Sequence, residues 1–231
     1  MNYIDLEDNV ITRMEKRARS ERLYLKTNKV FMTGVMKDEL KYSHTVVFEK
    51  FFQGEIIVKR NSGTNDIIPF VVSELLLDKV SLKEKVIQIA GQYRAYNVLG
   101  DDGKSHLILK LFVTELDWYY SEDELEEVPN SNLIYLDGYI CKKVRLGKTF
   151  SAKKDIANLL IAVSRNYGRS DYIPCIAWGR NARWTSFLNV GDRVQLFGRI
   201  QSRKYIQKSD EMENVVRTAY EVSIMEIGLV E

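Results

Sequence analysis

The sequence predicts a mainly all-β chain: two tandem five-stranded barrels, each with one short helix, preceded by an N-terminal helix. Three observations carry this. The 231 residues suit two domains of ordinary size. The chain repeats itself: Asn28–Val35 (NKVFMTGV) is similar to Asn132–Tyr139 (NLIYLDGY), Asp66–Val71 (DIIPFV) to Asp171–Ile176 (DYIPCI), and Gln88–Tyr96 to Gln195–Tyr205 in the same order. Within each copy, runs rich in β-branched and aromatic residues alternate with polar ones at the strand period of two.

Residues 1–22 read as an amphipathic helix, because Leu6, Val10, Met14 and Ala18 recur on one side of Asp5–Arg22. Residues 23–118 form the first copy, with strands near its start, middle and end and a helical segment at Ser73–Val80. Residues 119–131 are an acidic linker: Tyr119–Glu127 carries five acids and no base, and Pro129, Asn130 and Ser131 interrupt regular structure. Residues 132–231 form the second copy, with its helical segment at Gly179–Leu188. Pro69 and Pro174 mark the third strands as edge or bulged, since proline cannot donate to a ladder. Five strands and one helix per copy suit an oligonucleotide-binding (OB) barrel.

Composition excludes several classes. Apolar residues make up 45% of the chain and aromatics 11%, enough to bury a core. The longest unbroken apolar run, Leu159–Val163, is far short of a membrane span, and Met1–Ser20 lacks a secretory apolar core, so a cytoplasmic location is expected. Cys141, Cys175, His44 and His106 lie scattered, with no metal-ligand spacing and no nucleophile signature, so neither a cofactor nor a metal is expected. A nuclease needs a carboxylate cluster for its metal ions, and the basic region offers only Asp155, Asp171 and Asp192, widely spaced. A non-enzymatic binder is expected.

The formal charge of +2 hides an uneven distribution. From Lys142 to Tyr205 fourteen Lys and Arg face three Asp and no Glu, a local excess of +11 that attracts a polyanion. Within it, alternation sends Val194, Leu196 and Ile200 to one face of the fourth strand, and Arg193, Gln195, Phe197, Arg199, Gln201, Arg203 and Tyr205 to the other. Tyr172 and Trp178 likewise share a face by their even spacing.

On these segments the second copy resembles the bacterial single-stranded DNA-binding protein family. Residues 132–138 (NLIYLDG) resemble its opening strand, 157–167 (ANLLIAVSRNY) its second strand, 172–179 (YIPCIAWG) its third and 198–205 (GRIQSRKY) its fourth, while Arg217, Glu221 and Val222 echo its fifth. The resemblance implies base stacking on Tyr167, Tyr172, Trp178 and Tyr205, with Arg203 as the basic neighbour of the last. Around them Lys204, Arg199, Arg165, Arg169, Lys153, Lys154 and Arg183 are expected to follow the phosphates. The stacking is sequence-tolerant because every base has a π-face. Core packing or a protein interface is the competing reading for any single ring.

The first copy keeps the framework only. Ile67 and Ser73 stand where the second copy has Tyr172 and Trp178, and Arg94, Tyr96, Lys59 and Arg60 are its weaker candidates, so a structural or assembly role is expected for it. The chain ends at Met225–Glu231 without the glycine-rich tail and acidic tip of the family, which directs the expectation to a specialised role, with replication or repair proteins not recruited through such a tip. The resemblance also implies a homodimer. The expected function is sequence-tolerant binding of single-stranded DNA, RNA remaining open, in replication, repair or recombination. The alternative is a primosome-like accessory factor acting mainly through protein contacts.

Overall fold

A computed structural model describes residues 27–60, 62–78, 80–100, 103, 105–121, 132–149, 153–165, 168–208 and 214–230. The expected helix at 1–22 and most of the acidic linker lie outside the described residues. The first half contains β1 (Asn28–Met36), β2 (Lys41–Val46), β3 (Glu49–Lys59), β4 (Asn65–Ser73), a 3₁₀ turn at Glu74–Leu76, β5 (Val86–Leu99) and β6 (Ser105–Tyr119). The second contains β7 (Asn132–Ile140), β8 (Arg145–Lys148), β9 (Asp155–Ser164), β10 (Ser170–Trp178), the helix α1 (Gly179–Thr185), β11 (Arg193–Lys208) and β12 (Asn214–Leu229). The chain is thus mainly β, as the alternation predicts.

Pairing follows the same circuit in each half. In the first, β1 pairs antiparallel with β3 and β5, β3 with β4, β5 with β6, and β4 closes the circuit in parallel with β6. In the second, β7 pairs with β9 and β11, β9 with β10, β11 with β12, and β10 closes in parallel with β12. The short β2 and β8 add a flap to β3 and β9, one strand more per half than the alternation suggests. Alternation fills the interior: Ala157, Leu159, Ile161 and Val163 of β9 point inward, as do Val194, Leu196 and Ile200 of β11. Apolar side chains from both halves belong to one core cluster.

Pro69 and Pro174 sit just before the parallel pairings, which start at Phe70 and Cys175. Each proline therefore lies where its strand has a neighbour on one side only, and no ladder bond is lost. Opposite Ala90/Gly91 and Phe197/Gly198 the partner strands β6 and β12 each carry one extra residue, Thr114 and Met225, as a β-bulge, while β11 has none and its inward phase runs unbroken from Val194 through Gly198 to Ile200.

The halves join through β1 and β7, which pair antiparallel with Val30 opposite Ile134. These two residues are counterparts in the repeat, so the chain folds about an internal two-fold axis between them. Asn28 shows the same symmetry. Its side-chain amide donates to Tyr93 O at 2.6 Å, and its oxygen accepts from Tyr93 N at 2.8 Å. Its counterpart Asn132 treats Ile200 O and N in the same way, at 2.7 and 2.9 Å.

Candidate nucleic-acid interface

The site is built from the outer faces of β10, β12 and β11. On β10 the residues Ile173, Cys175 and Ala177 are buried, which turns Tyr172, Pro174 and Trp178 outward, while Ile176 between them is covered. Tyr172 is 48% and Trp178 40% exposed, enough ring surface to receive a base. Trp178 is oriented by its indole N–H, which donates to Ser223 Oγ at 3.2 Å, and Ser223 stands opposite Arg199 in the β11–β12 ladder. Next along the ladder come Gln201 with Glu221, both buried, and Arg203 with Ala219, then Tyr205 with Arg217. Tyr205 is 39% exposed. Rings on β10 and guanidinium groups on β11 therefore share one face, two strands apart.

The electrostatics of this face are graded. Arg203 approaches Glu221 at 3.7 Å, and Glu221 also accepts from Gln201 at 2.9 Å, so the acid at the centre is compensated from two sides. Arg183 bonds Asp155 at 2.8 Å, with Lys148 at 3.7 Å. Arg193 grips Asp137 through two bonds of 2.8 and 2.9 Å. Burial would raise the Asp137 carboxyl, but the Arg193 and Gln195 hydrogen bonds hold it below the usual carboxylate range. Among the described residues no acid pairs with Lys153, Lys154, Arg169, Arg199 or Lys204. The excess of +11 is thus partly spent on fixed ion pairs, and the remaining cations lie on exposed or half-exposed positions.

Tyr167 lies outside the described residues. Arg165 is turned away from the outer face. Its guanidinium forks onto the buried carboxylate of Asp171, donates to Ala95 O at 3.1 Å and lies 5.4 Å above the Tyr96 ring. Arg94 reaches the same carboxylate at 3.3 Å, and Arg60 is bound to Asp66. Three of the expected cations, with Tyr96, thus gather where the halves meet. No sequence signal links Arg165 to Ala95, because the two are distant in the chain. Lys59 lies at the end of β3 on the exposed side.

The first half carries a ring arrangement that no single strand's pattern announces. Where Trp178 stands beside Ile156 and Ser223, the first half has Ser73 beside Phe51, and the neighbouring Val71 stands beside Phe112. His44 stacks on Phe51 with centroids 5.1 Å apart and planes at 10°, and Phe51 lies 5.8 Å from Phe112. Rings therefore occupy neighbouring strands of the first half, although Phe51 itself is buried. Comparing strand counterparts across the repeat, rather than one strand at a time, is what would have found it.

The closed β-circuits are those of a β-protein with an oligonucleotide-binding (OB) type of fold, and the second half turns rings and cations outward together. Residues 131–230 match the model of the single-strand binding protein family, so the second half of the chain is similar to that family. Among solved structures, the chain is similar to a deletion mutant of the single-stranded DNA binding protein from Thermus aquaticus, with 18% identity, TM-score 0.65, and coverage of 88% of this chain and 94% of that one. The wild-type protein from the same organism gives 18% identity, TM-score 0.64, and coverage of 88% and 93%. At this identity the likeness is one of fold. No curated protein matches the chain. Among the described residues, no helix is long and apolar enough to cross a membrane, and no group of three His, Cys, Asp or Glu could hold a metal ion.

Proposed function

We propose that the chain binds single-stranded DNA with little sequence preference, through the outer face of β10, β12 and β11. The observation that carries the reading is the pairing of half-exposed Tyr172 and Trp178 with Arg199 and Arg203 on one face. Bases stack on the rings and phosphates follow the cations, with Lys153, Lys154, Arg169 and Lys204 extending the track. In this reading residues 23–118 and 132–231 are separate OB domains and the first is mainly structural. The protein serves replication, repair or recombination at the nucleoid as a homodimer. Those last extensions rest on family resemblance.

Titration with dT oligomers at low salt tests it. Trp178 and Trp184 are both half-exposed, so stacking quenches the fluorescence. With about five phosphates neutralised, log affinity falls against log salt with a slope of about −3.5, about a hundredfold between 50 and 200 mM. Tyr172→Ala with Trp178→Ala costs about 1–3 kcal/mol per ring. An unquenched signal, or a double variant that binds as tightly as the parent, counts against the proposal; rU oligomers in parallel distinguish DNA from RNA.

One observation favours the second reading, an accessory module acting through protein contacts. The β2–β3 hairpin ends in Val47 and Phe48, both at positive φ, and Phe48 is 96% exposed. Two non-glycine residues held in that region and presented to solvent fit a contact surface. Under that reading the double variant leaves DNA affinity unchanged and Phe48→Ala breaks the protein complex.

A further inference from the structure

Each half of the molecule reaches into the other with the same device. Arg60 and Asp66 of the first half form a forked ion pair whose Nε–H to Oδ2 bond is 2.6 Å. The pair then takes both backbone groups of Ser202 in β11: Arg60 Nη2 donates to Ser202 O at 2.8 Å, and Ser202 N–H donates to Asp66 Oδ1 at 2.6 Å. The Ser202 hydroxyl adds a third bond to the same oxygen at 2.9 Å. Arg165 and Asp171 of the second half do the same to Ala95 in β5, which donates to Asp171 at 2.6 Å and accepts from Arg165 at 3.1 Å. Arg60 and Arg165, and Asp66 and Asp171, are counterparts in the repeat, so the exchange is reciprocal.

The position of Ser202 gives this exchange a consequence for binding. β7 pairs with β11 only as far as Gly198, while β12 continues along the other side to Lys208. Beyond Gly198 the β7 side of β11 is a bare edge whose N–H and C=O groups need partners. Asn132 takes those of Ile200 and the Arg60–Asp66 pair takes those of Ser202. The ion pair replaces a missing strand at the last held position before Arg203, Lys204 and Tyr205.

We propose that Arg60 and Asp66 are positioning residues for the nucleic-acid face of the second half: they fix the backbone of β11 at Ser202, and so set the direction in which Arg203, Lys204 and Tyr205 leave it. Neither residue touches the nucleic acid. This rests on the binding function proposed above and adds the role of the first half in it. The structural job of that half is then specific: it is the brace of the binding strand.

The experiment uses the full chain with Asp66→Asn and Arg60→Gln, and Ile68→Val as a control in the same strand's buried core with no part in the ion pair. Affinity for a dT oligomer is measured across salt, and amide exchange is measured in the free protein. Both clamp variants are expected to weaken binding about tenfold, the scale of one lost stacking contact. The salt slope flattens by about one for each phosphate contact released. Exchange at residues 202–206 accelerates, and Ile68→Val behaves as the parent. If Asp66→Asn does not fold, Arg60→Gln, whose side chain is partly exposed, decides the matter. Unchanged affinity and slope in the folded clamp variants overturn the proposal alone, as do unchanged exchange rates or an equal loss in Ile68→Val. A parent chain that does not bind dT overturns the binding function, and this proposal with it.

Discussion

Among the described residues Tyr93 is the largest side chain fully enclosed by the core, and its hydroxyl has no hydrogen-bond partner among them. Burial raises its pKa well above that of an ordinary tyrosine, so it stays neutral, but a neutral hydroxyl without a partner is still destabilising. Tyr93→Phe removes the oxygen and keeps the ring; the expected outcome is a thermal midpoint equal to or above the parent's, with a gain of about 1 kcal/mol. A midpoint clearly lower would show that the hydroxyl has a partner the structure does not reveal. At this scale the sequence was most legible where one period decides the matter. Tyr172 and Trp178 are separated by an even number along an uninterrupted strand, so both turn outward together. Arg165 was not legible. Its charge advertised a phosphate contact, but its carboxylate and carbonyl partners come from a strand end and from the other half.

The hairpin β11–β12 carries half of the candidate site, and its bend depends on one glycine. A Cβ placed on Gly198 would lie 2.5 Å from Ser223 O, and one on its counterpart Gly91 would lie 2.1 Å from Phe112 O. Both glycines sit at the bulges, where the strands cross closely enough to turn the barrel corner. Backbone cannot yield as a flexible side chain can, so Gly198→Ala forces Ser223 away. Ser223 is the residue that holds the Trp178 indole. The expected outcome is a stability loss of about 1–3 kcal/mol together with a changed tryptophan emission spectrum, checked by denaturant unfolding and fluorescence. An alanine variant with parental stability and emission would mean that the close approach relaxes without cost. The existence and order of these elements could be read from the sequence because the repeat displays each twice. The flap strands β2 and β8 could not. They are short and mostly exposed, and β8 is buried on neither face, so no apolar period announces them.

The molecule as a whole is held by carboxylates that span it, which gives its stability a direction in pH. Burial acts to raise the Asp66 carboxyl, but the hydrogen bonds from Arg60 and from the N–H and hydroxyl of Ser202 outweigh it and lower the pKa below the ordinary value. Asp137, gripped by Arg193 and Gln195, shifts the same way. A carboxyl with a depressed folded pKa binds its proton more readily in the unfolded chain. Its contribution is therefore complete above the unfolded value of about 3.9 and is lost as the pH falls through the folded value. For Asp66 that lost contribution is also a contact between the halves, since the same carboxylate accepts the N–H and the hydroxyl of Ser202. The thermal midpoint is expected to hold steady from about pH 7 to 5 and then to drop as the pH approaches 3, with exchange at residues 202–206 accelerating over the same interval. Asp66→Asn, which has no proton to gain there, should show a shallower drop than the parent, and calorimetric scans at stepped pH make the comparison. Equal slopes in the two proteins would mean that acid acts elsewhere and that the contact across the two halves is indifferent to the charge on Asp66.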